Sequence, residues 1–227
     1  MSAEALAMNK LVEKNIIADP IKTVQKRNGK IIAGECKDYL MVSGSPLLKS
    51  LYKFKVPGQN TESVPALIGN GIDYTADLYK EGEILTFDEW YNPEYVKLNN
   101  TMDRIYVWGY GGRFPIAVID NMPYTTFQTS TTLKSKLLQL QSFKKIEGEE
   151  ECASLKVLNA AIRALLPSSA HITTYTYDPY RGMTSEIDDS NLGTIYTYDS
   201  FGRLSAQYDA DYKKKEEYDH HYKLQQR

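Results

Sequence analysis

Polar and apolar positions alternate with a period of two along much of this chain, most clearly between Ile172 and Leu204. Thr194, Tyr196 and Tyr198 share one side of such a strand, and Ile195 and Thr197 share the other. This mixture of β-branched and aromatic residues suits a half-buried sheet. The alternation stops at Asp199-Ser200-Phe201-Gly202. An Asp can bond the amides that follow it and a Gly accepts positive φ, so these residues predict a type I turn closed by a left-handed residue. Arg203, Leu204, Ser205 and Ala206 then form the return strand.

The same pattern stands 21 residues earlier, where Tyr175-Thr176-Tyr177-Asp178 anticipates Tyr196-Thr197-Tyr198-Asp199 and Met183 anticipates Leu204. A fixed period of this size marks an array whose units lean on their neighbours to bury an apolar face. In the earlier copy Pro179 presets φ after the Asp and Gly182 stands at the corner, one residue later than Gly202 in its own turn. The two turns need not be identical. A worn copy runs over Thr86-Phe87-Asp88-Glu89-Trp90-Tyr91-Asn92, with Tyr91 where a corner glycine would be easiest, which predicts either a different turn or a strained tyrosine. Trp108 follows Phe87 by 21 residues, and Gly112-Arg113-Phe114 matches Gly202-Arg203-Leu204 in kind.

Elsewhere the period changes. Ala, Leu and Met at helical spacing over residues 2–14 predict a short amphipathic helix. Asn28-Gly29 between two β-rich runs predicts a hairpin, further strands fall at about 36–42 and 50–56, and the Pro-containing segment 57–66 reads as loop. Thr131 to Phe143 and Cys152 to Leu166 carry leucine or isoleucine every three or four residues without internal Gly or Pro. They predict two helices inserted into the array, lying across one face of the sheet, the second ended by Pro167. The expected fold class is therefore mainly β: a twisted antiparallel sheet of consecutive hairpins with a two-helix insertion and a short N-terminal helix. A single domain over 1–227 is expected: a helix and hairpins at 1–83, worn hairpins at 84–124, the insertion at 125–168 and the repeats at 169–227. Lys215 to Asp219 would form a last strand, leaving an edge on which a second copy could pair.

Composition narrows the function classes. The formal net charge of −2 lacks the clustered Lys and Arg that a nucleic-acid surface needs. Tyrosine is concentrated in the repeats, where its ring covers apolar area and its hydroxyl reaches water. Cys36 and Cys152 lack CxxC spacing, and two buried thiols or one bridge between them are both open readings. No run is long and apolar enough for a signal peptide or a membrane-spanning helix.

With Tyr177-Asp178, Tyr198-Asp199 and Gly202-Arg203-Leu204 in view, together with TTYTYDPYRGMTSEID and VWGYGGRFPIAVIDN, the chain resembles the YD-repeat, or Rhs, family. It is most similar to the C-terminal portion of large YD-repeat proteins of Bacteroidetes-type bacteria. The resemblance implies an array of YD-type hairpins that in longer relatives winds into a hollow shell or spiral, at the cell surface or in secretion-linked assemblies. Tyr175, Tyr177, Asp178, Gly182, Tyr196, Tyr198, Asp199, Gly202, Arg203, Leu204, Trp108 and Gly112 define the repeat, and their expected role is structural.

No catalytic set or cofactor motif stands out: P-loop, Rossmann fingerprint, HExxH, GxSxG and EF-hand patterns do not occur. Asp188-Asp189-Ser190-Asn191 and Asp209-Ala210-Asp211 offer oxygen ligands but fall short of a calcium loop, and they read as turn residues. His220 and His221, adjacent on a strand, would point to opposite faces and chelate poorly. Cys152 would open a helix amid acidic neighbours, which disfavours a thiolate. A ladder of Trp90, Trp108, Tyr175 and Tyr196 could serve as a ligand platform. Cross-strand packing explains the same rings. The expectation is a non-enzymatic structural or surface-interaction module with a glycan or a protein as partner and no cofactor or metal. The alternatives are a carbohydrate-binding module and a shell segment of a toxin-delivery protein.

Overall fold

The structure, a computed structural model, describes residues 3–16, 21–28, 30–54, 67–68, 71–72 and 78–220. The expected loop at 57–66, Gly29 of the first hairpin and His221 lie outside them. The chain forms two compact units, Met1–Asp103 and Arg104–Arg227, and both are built from antiparallel hairpins.

In the first unit a helix, α1 (Ala3–Glu13), precedes β1 (Lys22–Arg27), β2 (Lys30–Val42), β3 (Ser45–Phe54), the two-residue β4 (Leu67–Ile68) and β5 (Gly71–Ile72), β6 (Leu78–Phe87) and β7 (Pro93–Leu98). The sheet order is β1-β2-β3-β6-β7, with β4 and β5 paired separately. Helix α1 forms where good helix formers are spaced to put Ala7 and Leu11 on one stripe. That stripe is buried against Tyr39 of β2, with Ile21 and Met41 at its margin. The strand expected at 36–42 is the second half of β2, which runs unbroken from Lys30 because it pairs with β1 along its first half and with β3 along its second.

The second unit takes most of β8 (Met102–Gly109), then β9 (Phe114–Asp120), the helical insertion, β10 (His171–Asp178), β11 (Gly182–Ile187), β12 (Gly193–Tyr198), β13 (Leu204–Asp209) and β14 (Lys214–Glu217). These strands pair in chain order from β8 to β14. The insertion holds α3 (Thr131–Gln139), ending in a 3-10 turn at Leu140–Ser142, and α4 (Glu149–Arg163). It also holds an unexpected short helix, α2 (Tyr124–Thr129). Segment 124–129 is only six residues long, without the leucine period that marks its neighbours, and it buries a single side chain, Phe127.

Two layers make the core of this unit. Leu133, Leu137, Leu140, Leu155 and Ile162 from the helical layer are fully buried, as are Ile105, Ile116, Ile119, Ile187 and Ile195 from the strands. Polar contacts tie the layers together. Thr174 donates from its hydroxyl to Asn159 Oδ1 of α4 at 2.9 Å, and Thr184 donates to the carbonyl of Phe143 at 3.2 Å.

A bulge recurs in these hairpins. Thr176 pairs with Ser185 and Tyr177 with Met183, so Thr184 has no residue opposite it. The same step leaves out Ser205 between β12 and β13 and Ile116 between β8 and β9. The extra residue turns two successive side chains inward, and accordingly Ile116 and Ala117 are both buried, as are Thr184 and Ser185. Each bulge also increases the local twist.

Candidate functional site

The feature repeated most closely is the turn. Asp199 accepts the amides of Phe201 and Arg203 on Oδ1, at 2.8 and 3.0 Å, while its own amide donates to the Arg203 carbonyl at 2.9 Å. Gly202 closes the turn at φ 76°. Asp188 accepts the amides of Ser190 and Leu192, both at 2.9 Å. Asp209 accepts those of Asp211 and Lys213, at 2.9 and 2.8 Å. In the first unit Asp88 accepts those of Trp90 and Asn92, at 2.9 and 2.7 Å. The residue in the glycine's place has positive φ each time: 57° at Asn191, 60° at Tyr212 and 68° at Tyr91. Tyr91 is therefore the strained tyrosine, held by a turn of the common geometry.

The sequence reading attached the repeat to Asp178 and Asp199 and treated Asp188 and Asp209 as incidental turn residues. The structure makes all four the corners of one array, since a 21-residue period contains two strands and two turns. The signal was present, because Asp188 and Asp209 are themselves 21 apart. The turn at Asp178 departs from the others. Tyr180 donates its amide to Asp178 Oδ1 at 2.9 Å, but the positive φ falls one place later, 135° at Gly182. Trp108 precedes a turn with no Asp, in which Tyr110, Gly111 and Gly112 have successive positive φ of 52°, 68° and 76°.

The repeat tyrosines link one hairpin to the next. Tyr198 donates its hydroxyl to the carbonyl of Met183 at 2.6 Å. That hydroxyl passes over the preceding corner so closely that a Cβ on Gly182 would sit 3.1 Å from it. Tyr110, which the sequence reading did not single out, does the same for the first repeat. Its hydroxyl donates to the carbonyl of Tyr177 at 3.0 Å and accepts the Tyr177 amide at 3.2 Å, serving the backbone at the bulge. Nothing in the local sequence marks that role, because the partners are 67 residues apart. Phe114 stacks on Tyr177 with centroids 4.7 Å apart, and burial pushes the Tyr177 phenol up to about 12.

The residues of the expected platform fall in both units. Trp90 stands at a turn of the first unit, half exposed. Trp108, Tyr175 and Tyr196 lie on β8, β10 and β12 of the second, each partly buried. Trp108 neighbours Tyr106 at 6.5 Å between centroids, and burial raises the phenols of Tyr175 and Tyr196. Tyr175 is paired across strands with Glu186, and Tyr196 with Gln207.

Arg203 grips Asp199 through Nε at 2.7 Å and Nη2 at 2.5 Å. This contact holds the Asp199 carboxyl below the usual carboxylate range. Leu204 opens β13 opposite Tyr198. A shallow groove beside the Asp178 turn is lined by Lys144, Lys145, Asp178, Arg181, Thr184 and Tyr198, among others. Cys152 lies in the first turn of α4, its thiol donating to the carbonyl of Ala210 at 3.0 Å. Burial raises its pKa, and both it and Cys36 are free and buried. Among the described residues no three His, Cys, Asp or Glu side chains are grouped to hold a metal ion, and no helix is long and apolar enough to cross a membrane.

No protein-family model matches the chain, and no curated protein matches it. Among solved structures it is similar to the crystal structure of TcdB2-TccC3-Cdc42, with a TM-score of 0.38 and 10% identity over 80% of this chain and 8% of that one. It is similar to TcdB2-TccC3 without the hypervariable C-terminal region, with a TM-score of 0.38 and 10% identity over 85% and 9%. It is also similar to the Tc holotoxin pore of Photorhabdus luminescens, with a TM-score of 0.35 and 9% identity over 92% and 10%. The chain spans a tenth or less of the length of each.

Proposed function

We propose that this chain is a non-enzymatic hairpin-repeat module, a scaffold or protein-interaction segment of a larger bacterial repeat protein at the cell surface or in secretion. The observation that carries this reading is the engagement of the repeat's carboxylates by their own turns. Asp188, Asp199 and Asp209 each hold two backbone amides. A carboxylate whose Oδ1 accepts two amides of its own turn organises the chain locally, which is the role a structural Asp plays.

Residues kept for a ligand tend to be suboptimal for stability, whereas structural ones lose stability when removed. The reading is tested by thermal unfolding of Asp188→Ala and Asp209→Ala, which are expected to melt lower than the parent. A melting temperature that stays level or rises would mean that these carboxylates are held for chemistry, and the module reading would fall. A second reading, a wall segment of a toxin-delivery shell, is supported by the recurring bulge, since each one bends its strand and accentuates twist in the sense that curves a sheet.

A further inference from the structure

Alternation divides the side chains of β10, β11 and β12 between two faces. Thr174 bonds to α4, and Ile187 and Ile195 are fully buried. Tyr175, Glu186 and Tyr196 alternate with these residues and stand on the opposite face, where Glu186 is exposed and the two rings are partly exposed. Register brings the three together. Tyr175 is directly opposite Glu186 on one side, and Thr194 is directly opposite it on the other. Tyr196, two residues past Thr194, and Tyr177, two past Tyr175, are therefore its diagonal neighbours, a separation that aromatic and long side chains span. Burial first, and after it neighbouring charges that include Glu186, raises the phenols of Tyr175, Tyr177 and Tyr196, so the field of this carboxylate reaches all three rings.

What this carboxylate lacks is a cation. Glu186 makes neither an ion pair nor a hydrogen bond among the described residues. The basic groups that share its face are committed elsewhere. Arg104, whose charge reaches Tyr175, is held by Asp120 through Nε at 2.7 Å and Nη2 at 2.8 Å. Lys215 donates to the carbonyl of Gly193 at 3.2 Å and to Thr194 Oγ1 at 3.4 Å, so it stands beside Glu186 without pairing with it.

We propose that Glu186, with Tyr175 and Tyr196 on either side of it, is a docking site for an arginine side chain of a partner protein. The proposal deepens the interaction-module reading and rests on it. An exposed carboxylate among ring faces complements a cation twice, through its own charge and through the ring quadrupoles. A guanidinium suits the site better than an ammonium, because it is planar, lies against rings, forks both carboxylate oxygens and is more weakly hydrated. The chain builds the same combination from its own residues at the Asp199 turn. There Arg203 grips Asp199 through Nε and Nη2 while its guanidinium lies 5.2 Å from the Phe201 ring centroid. At Glu186 the carboxylate and the rings are in place, and the arginine comes from the partner.

The test titrates the isotope-labelled full chain with the peptide Ac-Gly-Arg-Gly-NH2 and follows amide shifts. Saturable shifts are expected at Tyr175, Glu186 and Tyr196. Glu186→Gln keeps the shape of an exposed side chain and should weaken binding about fivefold without lowering the melting temperature. Tyr196→Leu should weaken it about threefold, and Lys215→Gln, which removes a neighbouring cation, should tighten it. The proposal is overturned if the folded wild type shows no saturable shift at these residues, or if Glu186→Gln or a folded Tyr196→Leu binds as tightly as wild type. It is equally overturned if Lys215→Gln weakens binding, or if Ac-Gly-Lys-Gly-NH2 or tetramethylammonium binds as tightly as the arginine peptide. Shifts produced by cellohexaose and not by the arginine peptide would assign the face to glycans and also overturn it. The module reading survives any of these results, since it is judged by the melting temperatures of the Asp188 and Asp209 variants.

Discussion

Gly202 isolates the backbone contribution to the repeat turn. Its φ of 76° lies in the left-handed region, yet a Cβ there would meet nothing nearer than Arg181 Cγ at 3.8 Å, an ordinary contact. Sterics outside the residue therefore do not enter, and Gly202→Ala reports only the local conformational cost. An L-residue in this region costs about 1–2 kcal/mol. Alanine also removes unfolded-state freedom, which returns about 0.4–1 kcal/mol. The difference is a loss centred on about 0.8 kcal/mol and at most about 1.6 kcal/mol, or a fall in melting temperature of a few degrees for a unit of this size. Urea unfolding at neutral pH, followed by fluorescence in a Trp90→Phe background that leaves Trp108 as the sole tryptophan so that the second unit reports alone, measures it. Gly202→Asn should cost less, because Asn visits the left-handed region more readily. A D-alanine introduced by semisynthesis should stabilise, since its mirror preference matches positive φ. An L-alanine variant as stable as wild type, or a D-alanine variant less stable than the L-form, would refute the reasoning that positive φ is what the repeat glycine supplies.

Other substitutions probe separate links. Gly193→Ala should destabilise by on the order of 3 kcal/mol, since its Cβ would fall 2.1 Å from the backbone oxygen of Glu186, which cannot yield as a side chain would; calorimetric unfolding checks this. Tyr110→Phe should cost about 1–3 kcal/mol in urea unfolding, because the Tyr177 amide and carbonyl at the bulge both lose a partner. Ile195→Ala, at a fully buried position, should cost about 2–5 kcal/mol by the same assay. Unfolding followed against pH should show a plateau with two limits. Tyr177, raised to about 12 by burial, contributes stability that is complete below the unfolded tyrosine value near 10 and is lost as pH rises through 12. Asp199, lowered by Arg203, contributes stability present above the unfolded carboxylate value near 4 and lost as pH falls below it.

Local chemistry was legible wherever a residue's role is decided by its chain neighbours. An Asp followed three or four residues later by Gly reads as a turn because the bonds involved span only a few positions, and the hairpins at Asp178 and Asp199 stand where that reading put them. The leucine period located α3 and α4 for the same reason, while α2 was too short to carry a period. Cross-strand contacts were not legible. Tyr110 meets Tyr177 only because the strands between which the helices are inserted, β9 and β10, pair with each other. That Tyr180 and Phe201 stand at the same end of the strands emerges only once successive turns are known to alternate between opposite ends.

By itself the sequence determined the unit, a strand and turn of β-branched residues, tyrosine, Asp and Gly recurring at 21 residues, because turn geometry and side-chain alternation are short-range properties. Tertiary structure decided which rings became struts and which stayed in water. That outcome depends on which hairpin stands beside which, on a bulge that turns two successive side chains inward, and on helices that cover one layer of the second unit. Tyr177 and Tyr180 stand three residues apart in one repeat, yet packing by Phe114 and Tyr110 buries the first, while the turn leaves the second 97% exposed.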